Sequence, residues 1–151
     1  MSITEKISHA AERKAFETVL DSMLKKGQTQ DVSGCVAGGR IYCHINAAGD
    51  VEPCVFIHYS GANIREKSFL ECLQQPLFKL YRKGQPFNGN HLRPCPMLEN
   101  PELLPKMVAN SGAHSTDLEA PDSAEHLCAK CKEYAAHWKP EAEKLWAEDH
   151  S

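Results

Sequence analysis

The order Gly34-Cys35-Val36-Ala37-Gly38-Gly39-Arg40-Ile41-Tyr42-Cys43-His44-Ile45-Asn46-Ala47-Ala48-Gly49-Asp50-Val51-Glu52-Pro53-Cys54 sets a turn between two cysteines. Two β-rich runs, Ile41 to Asn46 and Val51 to Ile57, flank Gly49-Asp50, a strong short-range signal for a hairpin. Cys35 enters that hairpin and Cys54 lies in its second strand, so the turn folds two distant sulfurs toward one place. Further along, Cys128-Ala129-Lys130-Cys131 supplies a second pair, and Cys95 occupies a Pro94-Cys95-Pro96 corner between them. Together these cysteines point to a metal or iron–sulfur site.

Outward from the hairpin, most of the chain reads as helix. Ile3, Ile7, Ala11, Ala15, Val19 and Met23 recur at helical spacing over residues 3–26, with Ser2 and Glu5 as a capping box and Gly27 as the stop. This amphipathic helix and a polar linker make up residues 1–33. The segment Tyr59-Ser60-Gly61-Ala62-Asn63 reads as loop. Ser68 and Glu71 then form a second capping box. Pro76 fits the first position of a helical turn running to Arg82, with Leu73, Leu77, Phe78 and Tyr81 on its apolar face. Residues 85–96 read as an irregular ordered loop. Asn100-Pro101 opens a short helix to about Ala109, closed near Gly112, and residues 113–120 read as loop. Asp122 and Glu125 are placed to cap a helix carrying Leu127, Cys128, Cys131, Tyr134, Ala135 and Trp138, which Pro140 restarts toward Trp146. The expectation is an α+β fold: a mostly helical small domain with one β-hairpin, organised around a cysteine-ligated metal cluster. Residues 34–139 form its body and residues 140–151 a helical tail.

Bulk properties narrow the function. A chain of 151 residues, 42% hydrophobic and 25% charged, suits one globular domain with its own core. The formal charge of −3 gives no basic surplus, so neither nucleic acid nor anionic membrane is an expected partner. No apolar run reaches the roughly 20 residues that span a bilayer, and no secretory signal is visible, so the expected location is the cytoplasm. Seven cysteines, an odd count, in that compartment argue against a disulfide framework and for metal binding.

The cysteines divide by their surroundings. Cys128 and Cys131 stand three apart, which on a helix or turn places both sulfurs on one face to hold one ion or two irons of a cluster. Cys35 and Cys54 would close the shell. Cys72, beside Leu73 in a helix, and Cys43, on the strand face of Ile41 and Ile45, read as small buried hydrophobes. Cys95 is a fifth candidate ligand, held in a fixed direction by its two prolines. His44 and His58 read as packed strand histidines. Zinc and a [4Fe–4S] cube each take four thiolates, so spacing leaves both open. No nucleophile elbow, phosphate-binding glycine loop or paired-carboxylate signature is present, so no catalytic residue is assigned.

Cys35, thirteen intervening residues, then Gly49-Asp50-Val51-Glu52-Pro53-Cys54 resembles the opening pattern of the auxiliary-cluster region, SPASM or shorter twitch type, of radical S-adenosylmethionine proteins. The phrases His44-Ile45-Asn46-Ala47-Ala48-Gly49 and Arg93-Pro94-Cys95-Pro96-Met97 share that resemblance, which spans about residues 34–139. It implies one or two [4Fe–4S] clusters; two would need eight thiolates and the chain has seven cysteines, so one cluster is expected, held by four of Cys35, Cys54, Cys95, Cys128 and Cys131, with zinc the alternative that spacing leaves open. The catalytic barrel and its Cys-x-x-x-Cys-x-x-Cys triplet are absent from this sequence. The resemblance therefore implies a domain without enzymatic activity of its own. It would serve electron transfer or substrate presentation, with a radical S-adenosylmethionine enzyme or a peptide or protein substrate as partner. A structural zinc-binding interaction module is the other reading.

Overall fold

A computed structural model describes residues 34–150. The helix expected over residues 3–26 and the linker behind it lie outside the described residues. Within them the order is β1 (His44–Ile45), β2 (Val51–Glu52), β3 (Tyr59–Ser60), α1 (Phe69–Cys72), α2 (Pro76–Lys83), α3 (Leu103–Ser111), β4 (His114–Ser115), α4 (Ala124–Ala129) and α5 (Lys132–Asp149). The fold is mixed, with small sheets and five described helices.

The expected hairpin is present but shorter than its β-rich runs. His44 pairs with Glu52 and Ile45 with Val51, antiparallel. Its turn is centred on Ala47 and Ala48 rather than Gly49-Asp50, because Asn46 closes it from both sides. The Asn46 carbonyl accepts from Gly49 N at 2.9 Å, and its side-chain oxygen accepts from Asp50 N at 3.0 Å. Gly49 follows at φ +94°, a left-handed conformation in which a side chain would also meet Asn63 Oδ1. The second strand ends at Glu52 because Pro53 has no N–H to continue the ladder. The chain then bends, with Ile57 N donating to Cys54 O at 3.2 Å, and leaves Val55 and Phe56 exposed. No strand extends to residues 41–43. Ile41 and Ile45 face solvent, while Cys43 packs inward against the cluster containing Cys72.

A second sheet corrects the reading of residues 59–63 and 113–120 as loops. Tyr59 pairs with Ser115 and Ser60 with His114, and Thr116 N donates to His58 O at 2.9 Å. Two-residue strands carry no period-2 pattern, and this pairing joins distant parts of the chain, so nothing local announces it.

The helices follow their local signals more closely. Ser68 and Glu71 form the reciprocal capping box of α1, and Pro76 opens α2 after Gln75. Gly112 closes α3 by donating to Val108 O. Ser123, rather than Asp122, caps α4 through its side-chain oxygen and His126 N. The break that follows lies at Lys130-Cys131, and α5 runs unbroken through Pro140.

Helix α2 links the two apolar clusters. Leu77 and Tyr81, one turn apart, enter the larger cluster with Ala37, Cys54, Ile57, Tyr59, Leu104, Met107, Ala124 and Cys128. Phe78 enters the smaller one with Val51, Ala62 and Cys72. Helix α3 packs on both α2 and α4, and this brings Cys128 toward the hairpin side of the core. No described helix is long and apolar enough to cross a membrane.

Candidate metal centre

Three of the five candidate cysteines lie on turns whose backbone N–H groups face sulfur. Cys35 leads into the turn at residues 37–40, which is fixed by Ile41 N to Val36 O and Gly38 N to Pro53 O, both 3.0 Å. Within it the Ala37 N–H donates to the Cys35 sulfur. The turn packs tightly on α2: Gly38 sits at φ +66°, and a Cβ there would fall 2.5 Å from Cγ of Tyr81. Gln85 holds the other side, its Oε1 accepting from Cys35 N at 3.2 Å.

The bend after β2 does the same for Cys54. The Phe56 N–H and the Tyr42 hydroxyl favour its thiolate, and so does the Ile57 N–H, which is shared with Cys54 O. Cys95 is enclosed by its own corner. Met97 N and Leu98 N each donate to its sulfur at 3.4 Å, while its N–H donates to Glu99 Oε2 at 2.7 Å. Asn100 ties the corner shut from Nδ2, at 3.0 Å to Cys95 O and 2.9 Å to Arg93 O. N–H donors aimed at sulfur favour the thiolate, the form that binds metal.

Cys128 and Cys131 are held differently. Cys128 is buried on the inner side of α4 with 1% of its surface exposed, and Cys131 follows in the turn before α5. The Cys131 thiol donates to Leu127 O at 3.9 Å, and Cys131 N to Cys128 O at 3.0 Å. Neither sulfur has the backbone cradle of the other three.

Electrostatic coupling gives the neighbourhood. Burial pushes the Cys35 thiol above its ordinary value, and Cys54 adds to the rise. Cys95 is pushed up to about 12, by burial first and by Cys35 among its charged neighbours. Cys128 is also pushed up to about 12, by burial and then by Cys131 and Cys95. The chain of neighbours thus runs Cys54, Cys35, Cys95, Cys128, Cys131. Cys72 lies in the smaller apolar cluster and Cys43 packs against it, where burial and then Cys72 raise the Cys43 thiol. Among the described residues, no three His, Cys, Asp or Glu side chains are already grouped to hold a metal ion. All seven cysteines are free.

The surroundings test what would fit there. Among the described residues, three buried side-chain atoms lack a hydrogen-bond partner: Tyr81 OH, Gln85 Nε2 and Arg93 Nε. Each has a hydrogen to give, and a buried donor without an acceptor is costly. Tyr81 lies beside Cys35, Cys54 and Cys95, and burial, reinforced by these thiols, holds its phenol protonated, well above its ordinary value. Gln85 is bonded to Cys35, and Arg93 is two residues from Cys95. A surplus of buried donors around thiols suits an anionic, acceptor-rich group. Iron–sulfur clusters with thiolate ligands are such groups, so the residues present fit one.

Sequence reading located the cysteines but not their supports. Gln85, Glu99 and Asn100 act through hydrogen bonds that only the folded loop reveals, and Tyr81 reads from sequence as core alone. A scan against protein-family models matches residues 35–97 to SPASM, an iron–sulfur cluster-binding domain. The match covers Cys35, Cys54 and Cys95 and ends before Cys128. Neither curated proteins nor solved structures give a match.

Proposed function

We propose, from the SPASM iron–sulfur cluster-binding domain that residues 35–97 match, that this chain is a non-catalytic auxiliary-cluster protein holding one [4Fe–4S] cluster. The observation that carries the reading is the trio Cys35, Cys54 and Cys95. All three fall in the matched stretch, neighbour one another in the fold, and have N–H groups donating to sulfur. Cys128 is the proposed fourth ligand, because it is buried and lies within electrostatic reach of Cys95. Cys131 is then the spare thiol.

The cluster would supply one-electron redox chemistry. The chain's own part is to hold the thiolates, exclude water and present an accessible edge. Val55 and Phe56, immediately after Cys54, are 48% and 69% exposed and form an apolar rim beside that ligand. Such a rim supports contact with a partner, for which a radical S-adenosylmethionine enzyme or its peptide or protein substrate is the proposed class. Electron transfer or substrate presentation is the proposed role. A cytoplasmic setting is proposed with it, since thiolate ligands need a compartment that keeps cysteines reduced.

The test is the iron, sulfide and zinc content of protein purified under anaerobic conditions. About four irons and four sulfides per chain are expected, as for one cube. Cys95→Ser and Cys54→Ser should each lower that content, whereas Cys72→Ala should leave it unchanged. One zinc with no sulfide would replace the reading with a structural zinc module. Full iron content in both serine variants would refute the ligand assignment.

A further inference from the structure

We infer that Tyr81 and Gln85 are donors set aside for the sulfurs of the bound cluster and tune its reduction potential upward; this rests on the iron–sulfur reading above. Tyr81 is 0% exposed and its hydroxyl has no acceptor. Its position is fixed rather than accidental. The Gly38 backbone presses on one part of the ring, and Phe87 meets it edge-on with centroids 5.5 Å apart. The polar end of a side chain so tightly packed cannot swing to solvent. Tyr81 shares the larger apolar cluster with Cys54, and Cys35 packs against that cluster; both thiols, with Cys95, add to the push that keeps its phenol protonated.

Gln85 makes the same case from a different element. Its Oε1 is committed to Cys35 N, which fixes the amide orientation and leaves Nε2 as a donor. That Nε2 is buried and has no partner. A chain whose function required only a packed core would lose nothing by carrying phenylalanine at position 81. Retaining two unsatisfied donors beside three thiols makes physical sense when the acceptor arrives with the cluster. Reduction adds negative charge to the cluster, and donors to its sulfurs stabilise the reduced form more than the oxidised one. The two residues are positioning groups for the redox equilibrium, not ligands.

The experiment compares full-length wild type, Tyr81→Phe and Gln85→Glu, each loaded with iron and sulfide under anaerobic conditions. Three readouts are taken: iron content, midpoint potential by titration, and thermal stability of the metal-free chain. Tyr81→Phe should retain its iron and shift the reduction equilibrium about tenfold toward the oxidised form, about 59 mV more negative for a one-electron couple. Its metal-free form should be at least as stable as wild type, because the lost hydroxyl had no partner. Gln85→Glu keeps the oxygen that Cys35 N requires but replaces the donor with negative charge, so its potential should fall at least as far. Unchanged potentials in both variants at full iron content would overturn the inference and leave the cluster reading intact. A wild-type chain that takes up no iron or sulfide would overturn both, and iron content distinguishes the two failures.

Discussion

Glu52 shows how one residue can organise the ground beneath a ligand. It is 0% exposed and stands two positions before Cys54. Asn46 Nδ2 donates to its Oε1 at 3.1 Å and Thr116 Oγ1 at 2.5 Å, while His44 Nδ1 lies 2.7 Å from its Oε2. His58 Nδ1 lies 3.4 Å from both oxygens. The carboxylate thereby joins the hairpin, the bend after Cys54 and the strand that returns much later in the chain. His44 and His58 are oriented by it, which is more specific than the packed-histidine reading of the sequence. Glu52→Ala would leave the buried Thr116 hydroxyl without its acceptor, whereas Asn46 Nδ2 keeps Asp50 Oδ2 at 3.1 Å and the half-exposed histidines can turn to water. We expect a loss of about 1–3 kcal/mol in the metal-free chain, read from urea unfolding. A loss below about 0.5 kcal/mol would mean that the network adds no net stability.

At the scale of elements, the glycine-rich turn and α2 are one packed unit. Alanine at Gly38 would place a Cβ 2.5 Å from Cγ of Tyr81 and would have to adopt φ +66°. The clash and the strained dihedral together should cost about 1–3 kcal/mol. Because the same turn carries the donor to the Cys35 sulfur, iron loading of Gly38→Ala should fall as well. Thermal melting and iron analysis of one preparation check both. Unchanged loading would separate the turn from the site. What sequence reading recovered at this scale was the local grammar. The Ser68 and Glu71 box, Pro76 at the start of α2 and Gly112 at the end of α3 each act within one turn of chain. The β3–β4 pairing escaped it because two residues show no period and their partner is remote. The cysteine positions were legible as spacing. The cradle was not, since Gln85 reaches back to Cys35 and Glu99 to Cys95 through geometry created by folding.

Over the whole described chain, regular β-structure contributes little, and side-chain ties do much of the joining. Asn90 Nδ2 reaches Ala142 O at 2.8 Å and Trp138 Nε1 reaches Leu92 O at 2.9 Å, fastening α5 to the loop before Cys95. Tyr59 OH donates to Asp122 O, anchoring the entry to α4. Between β4 and that anchor, Leu118, Glu119, Ala120 and Pro121 are all exposed. This exposed stretch is a place where the chain can be opened to test what joins its two parts. A protease site inserted between Leu118 and Pro121 and then cut would yield two polypeptides, the smaller bearing Cys128 and Cys131. Three of the four proposed thiolates would remain on the larger piece, so the inorganic cluster would bridge the two like a rivet. Loaded protein should elute from a sizing column as one nicked complex, and chelation of its iron should lower the urea concentration at which the smaller piece, still tied by its core contacts, comes away. Separation while the iron is still bound would place all the ligands on the larger piece.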